Sequence, residues 1–168
     1  TMQHNAVLGT QQFSDIQIID RTHPAIIRSA AFRQDGRILP RGLVVAKDSN
    51  GHLATYEPDL ATAANWAATT AVTAGTLKKP TVSNGHYYRC KTAGTTGGTQ
   101  PTWPTTAQAT VADGTVLWEE AGLLGVSTLA GGGVLTEIMN TAVEAVGPVL
   151  RHGTVVAENL NVAGESAA

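Results

Sequence analysis

His86 and Cys90 lie four residues apart in His86-Tyr-Tyr-Arg-Cys-Lys-Thr92, a run that reads as a strand. On a strand the two share a face, and an imidazole beside a thiol is a pairing that nucleophilic catalysis uses. No acid or amide stands out to orient the imidazole, so Cys90 is expected to be a small core hydrophobe. Ser14, Asp15 and His23 are close in sequence. Triads are built by geometry, however, and no nucleophile-elbow motif surrounds Ser14. Glu119 and Glu120 are adjacent, which on a strand points them to opposite faces and prevents a paired acid and base. A solvated strand edge is their expected role. Gly131-Gly-Gly133 lacks the following Lys-Ser/Thr of a phosphate loop and reads as a hinge. Cys90 is the single cysteine, so neither an intrachain disulfide nor a cysteine-based zinc site is available. The expectation is a protein that is not an enzyme and uses no cofactor or metal.

Binding chemistry has more candidates. Trp66, Tyr87, Tyr88 and Trp103 could form an aromatic platform for sugar rings or a partner protein, because aromatic rings give large contact area at low entropic cost. Against that, Trp66 and Trp118 are expected in a core. Trp103 stands between Pro101 and Pro104 in a loop-like stretch and, with Tyr87, is the better surface candidate. Arg28, Arg33, Arg37 and Arg41 are spaced so that their guanidinium forks could meet acidic groups of a partner, the competing reading being ordinary solvated strand residues.

The bulk numbers limit the partners. Eleven basic and thirteen acidic side chains in 168 residues give a formal charge of −2, without the basic excess that neutralises phosphates, so no nucleic acid is expected. No apolar run is long enough to span a bilayer, so no membrane is expected. The opening TMQHNAVLGTQQ has neither the charged nor the apolar part of a secretory leader, and synthesis in a reducing cytoplasm fits. Charged residues make up 14% of the chain, below the usual quarter of a soluble domain. Either turns are abundant or partners cover much of the surface.

The elements that must position these residues read as strands. Residues 1–14 are polar and aperiodic and suit an extended arm; Gln11 and Phe13 are its candidate contact residues. Ile16–Ile19 and Ala25–Phe32 look like strands about His23-Pro24. Asp48-Ser-Asn-Gly51 supplies a tight turn between Leu43–Ala46 and Leu53–Tyr56, a hairpin. Five of the eight Phe, Tyr and Trp residues fall between 65 and 121, where Pro, Asn-Gly and Asp-Gly punctuate strand-like runs over His86–Thr92 and Thr115–Glu119. That segment reads as a compact β module with its own core. After it, Val134–Met139 and Gly147–Val156 read as strands, with Gly153 marking a bulge or close approach. The predicted fold is all-β. One β domain is made of 1–64 and 122–168, with 1–14 its arm, and is interrupted by an inserted module, 65–121, that projects from it.

Leu39-Pro-Arg-Gly-Leu-Val-Val-Ala-Lys47, Gly51-His-Leu-Ala-Thr-Tyr56, Gly133-Val-Leu-Thr-Glu-Ile138 and Val149-Leu-Arg-His-Gly-Thr-Val155, taken in order, resemble the bacteriophage head decoration proteins. The resemblance covers about residues 10–60 and 130–162. It implies a β-rich fold with an N-terminal arm, a homotrimer made in the host cytoplasm, and a place on the outer surface of the virion capsid. There the major capsid protein is the partner and the head is stabilised against packaged DNA. Under that reading Gln11, Phe13, Arg28, Arg33 and Arg41 are the expected contacts to capsid and neighbouring subunits. The segment with Asn84-Gly-His-Tyr-Tyr-Arg-Cys-Lys-Thr-Ala-Gly94, Gly98-Thr-Gln-Pro-Thr-Trp-Pro104 and Thr110-Val-Ala-Asp-Gly-Thr-Val-Leu-Trp118 is similar to a small β module of phage tail fibres and other virion surface proteins. That likeness implies surface interaction, with a host surface glycan as one ligand. The alternative function is therefore a glycan-binding adhesin acting through the insert. The usual decoration protein has no such insert, so its role is not carried over.

Overall fold

The computed structural model describes residues 19–20, 24–125, 131–155 and 160. The predicted arm with Gln11 and Phe13, and most of the predicted strand Ile16–Ile19, lie outside them. The first strands are β1 (Ile19–Asp20), β2 (Ile26–Ala31), β3 (Ile38–Leu39), β4 (Val44–Lys47) and β5 (Leu53–Thr55). A 3-10 turn at Pro58–Ala61 leads into β6 (Ala71–Val72), β7 (Leu77–Lys78), β8 (His86–Thr92), β9 (Gly94–Thr95), β10 (Thr110–Asp113) and β11 (Val116–Leu123). The last strands among the described residues are β12 (Gly133–Leu135), β13 (Met139–Asn140), β14 (Val146–His152) and β15 (Thr154–Val155). No α-helix occurs among the described residues, and the protein is all-β, as its turn-rich sequence predicts.

The β4–β5 hairpin shows how local chemistry sets an element. Asp48 accepts hydrogen bonds from the backbone N–H of Asn50 and of His52, each at 2.9 Å, and Gly51 takes the left-handed φ of +82° that closes the turn. These backbone donors and Arg33 outweigh the effect of burial and hold the Asp48 carboxyl below its ordinary pKa.

Five antiparallel strands pair in the order β2-β14-β12-β4-β5, so this sheet draws on both ends of the chain. One core cluster gathers Phe32, Leu39, Leu43, Val45, Leu53, Leu135, Met139 and Val149. The predicted single strand over Val134–Met139 is divided in two. The amide of Thr136 donates to Pro148, but proline has no N–H to return the bond, so the ladder ends and Met139–Asn140 instead pairs with β3. The irregularity predicted at Gly153 is present: its φ is +134°, and the β2–β14 register shifts between Leu150 and His152.

The hinge predicted at Gly131–Gly133 is overturned. Gly133 belongs to β12, the sheet's central strand, and these glycines are needed for close approach. A Cβ on Gly132 would stand 2.1 Å from the carbonyl oxygen of Val45, and one on Gly133 2.4 Å from that of Leu150. Gly132→Ala is therefore expected to lower stability by about 1–3 kcal/mol through overpacking against backbone. Thermal melting followed by circular dichroism checks this, and an unchanged melting temperature would restore the hinge.

The four-stranded sheet, β10-β11-β8-β7, uses residues 77–123 only. On one face Val72, Tyr88, Cys90, Val116 and Trp118 are buried, with Trp66, Trp103 and Val111 packed against them. Leu60, Leu77 and Tyr87 form a separate cluster with Ala63, Ala121 and Leu124.

Candidate functional site

The densest polar constellation lies where the two sheets meet. Arg37 precedes β3, and its guanidinium pairs with the carboxylate of Glu120 on β11. Glu120 is 1% exposed. It also meets His86 Nδ1 at 2.8 Å and accepts the backbone N–H of Gln108 at 3.1 Å. Gln108 holds a left-handed φ of +62°, uncommon for a residue with a side chain. Behind this pair, Arg37 Nε donates to Asp35 at 3.2 Å, and the Thr141 hydroxyl donates to Asp35 at 2.8 Å while accepting the Arg37 backbone N–H at 2.7 Å. Arg33 bridges in parallel, from Asp48 at 3.0 Å to the carbonyl of Leu123 at 3.3 Å. Arg89 on β8 pairs with buried Glu57. Charged groups removed from water are stable only when so compensated.

This seam corrects the expectation for Glu120. Alternation does put Glu119 and Glu120 on opposite faces, and Glu119 pairs with Lys91. Glu120, however, shares the inward parity of Val116 and Trp118. The signal was in the sequence: an expected core tryptophan two residues upstream fixes which glutamate turns inward. The acid found missing beside His86 is this same Glu120, which lies 34 positions away and was therefore invisible to local spacing.

The seam does not assemble nucleophilic chemistry. Cys90 Sγ donates to the carbonyl of Thr92 at 3.2 Å and packs with Trp118, Val116 and Tyr88, while His86 Nδ1 meets Glu120. Burial raises the Cys90 pKa, which keeps it a thiol. Burial likewise pushes up Glu57, against the pull of Arg89, and Tyr87, beside Glu57. A cavity of about 10 Å³ lined by Arg33, Asp35, Arg37 and Tyr87 has room for one water and none for a substrate. Among the described residues no cluster of three metal-ligating side chains occurs. The arrangement is a clamp joining the sheets.

The aromatic residues are organised by a second buried acid. Asp113 Oδ2 accepts both Trp66 Nε1 at 2.7 Å and Trp118 Nε1 at 2.9 Å, and its Oδ1 accepts the backbone N–H of Gly97 at 2.8 Å. Trp118 is fully buried and Trp66 half-buried. Trp103 is half-buried and packs on Tyr88 with ring centroids 4.2 Å apart and on Trp118 at 5.8 Å. The platform of Trp103 with Tyr87 is not assembled. Tyr87 is 2% exposed and sits in the Leu60–Leu77 cluster, because neighbouring positions on β8 point to opposite faces and Trp103 packs on the Tyr88 side.

Of the predicted arginine contacts, Arg33 is held by Asp48 and Leu123, while Arg41 is half-buried and engaged within the chain. Arg28 lies exposed on β2, at the edge of the five-stranded sheet. Set beside known proteins, the chain matches no family model, no curated protein and no solved structure.

Proposed function

We propose that the protein is a non-enzymatic structural component of a phage virion that coats the outer surface of the capsid as an oligomer. Its partner is the major capsid protein, and the gain is resistance of the head to internal DNA pressure. One observation supports the reading above the others: the pieces of sequence that resemble the decoration proteins fold as neighbours. β4 and β5 come from the Leu39–Tyr56 stretch, β12 from Gly133–Ile138 and β14 from the stretch before Val155, and β12 lies hydrogen-bonded between β4 and β14. Segments separated by about half the chain thus form one sheet, as parts of one inherited domain would. Several weak contacts per subunit, multiplied by a trimer, would clamp adjacent capsomers without one strong site. The N-terminal arm would add main-chain bonds to an exposed capsid strand.

Purified protein added to capsids stripped of it is expected to bind saturably at local three-fold positions, counted by electron microscopy. A variant lacking residues 1–14 should stay folded and lose that binding. Absence of binding by the full chain would sink the capsid reading and favour the glycan-binding alternative, for which loss of polysaccharide binding by Trp103→Ala is the corresponding readout.

A further inference from the structure

The five-stranded sheet and the separate β3–β13 ribbon each carry an exposed apolar patch, and the two are unlike in character. The first is the free edge of β2. This six-residue strand pairs with β14 on one side and with no strand on its other side among the described residues. Ile26 and Ile27 are 44% and 47% exposed, and as neighbours on a strand they point to opposite faces. Edge strands are usually blunted by charges, proline or a covering loop. Here the sole charge is Arg28, whose side chain has no hydrogen bond or ion pair among the described residues.

The second patch is the outer side of the β3–β13 ribbon. Leu39 and Met139 pair across the ribbon and point into the core, so Ile38, opposite Asn140, faces out. Ile138, one position before Met139, shares the outward parity. Val143 stands in the turn tied to Asn140 by its own amide. Ile138 and Val143 are 70% and 76% exposed. Glu137, next to Ile138 in the chain, is exposed and, like Arg28, has no side-chain partner among the described residues. Thr141 anchors this ribbon from beneath through Asp35 and Arg37, so the patch is presented on a fixed support.

We propose that the chain associates with itself head to tail: the β2 edge of one copy docks on the β3–β13 patch of the next, and Arg28 pairs with Glu137 of that neighbouring copy. The inference rests on the reading of the protein as a homo-oligomer and names the surfaces that make it one. Charge chooses between the two kinds of self-contact. A two-fold contact of like patches brings each lone charge near its own copy, whereas joining the unlike patches sets opposite charges together and covers apolar surface on both sides. A cyclic trimer requires a heterologous contact whose rotation closes the ring, whereas a two-fold contact of like patches stops at a dimer.

Sedimentation velocity of the full chain tests this with wild type, Arg28→Glu, Glu137→Arg, the double exchange R28E/E137R, and Ile138→Asp. The wild type is expected to sediment as a closed oligomer. Each single charge reversal should weaken assembly about tenfold or more, Ile138→Asp should abolish it, and the double exchange should restore it. Arg28, Glu137 and Ile138 are all exposed surface positions, and circular dichroism melts verify that the four variants fold. A monomeric wild type overturns the proposal, and so does an oligomer indifferent to these changes. Sensitivity to Arg28→Glu without sensitivity to Glu137→Arg also overturns it, in favour of two-fold pairing of β2 edges. Capsid binding by the wild type, measured separately, stands or falls independently of these outcomes.

Discussion

Replacing Glu120 by alanine is expected to destabilise the protein by about 3–5 kcal/mol, the cost of stripping one partner from a buried ion pair. Arg37 would remain inside with its charge uncompensated by Glu120, His86 would lose its acceptor, and the amide of Gln108 would be left without a partner. The left-handed turn at Gln108 would also lose the carboxylate that holds it. Urea unfolding followed by circular dichroism measures the loss. The double variant Arg37→Met, Glu120→Leu should recover a substantial part, because replacing both charges by packed apolar groups removes the desolvation cost along with the attraction. A loss below about 1 kcal/mol for Glu120→Ala would place that carboxylate in water and dissolve the clamp.

Asp113→Ala is expected to cost about 3 kcal/mol or more, since two indole N–H groups and one backbone N–H would lose their acceptor together and each such orphan costs about 1–3 kcal/mol. Trp66 and Trp118 report it directly, by tryptophan emission shifted to longer wavelength together with a lower unfolding midpoint. Asp113→Asn should fall between wild type and alanine, because its one amide oxygen still accepts while its NH2 faces donors. Equal stability of Asp113→Ala and wild type would show that the tryptophans are held by packing alone.

Much of the fold was legible because its signals are local. Asp48-Ser-Asn-Gly51 specifies a hairpin through bonds that reach no further than four residues, and the strand at His86–Thr92 was read to the residue. The division of Val134–Met139 was hidden because the residue that ends the ladder, Pro148, lies on a different strand. The same holds for the seam. Arg37 and Glu120 are 83 positions apart, Arg33 and Leu123 are 90, and neither pairing has a spacing to read. Tyr87 and Tyr88 posed a parity problem: adjacent tyrosines must face opposite ways, and only the placement of Trp103 on Tyr88 decides which one joins the tryptophans. The expectations for Trp118 and Cys90 needed only size and polarity, and both are buried.

The position of β12 between β4 and β14 imposes an order of events on folding. Gly133 must find Val45 across a gap of nearly ninety residues, and until it does the inner edge of β4 stays unpaired. Closing so long a loop is slow for a floppy chain. The intervening four-stranded sheet, complete within residues 77–123, can form first and draw the distant segments together. A ribosome would thus release a compact middle before the sheet that flanks it, and refolding kinetics should show tryptophan burial preceding the last gain of strand signal.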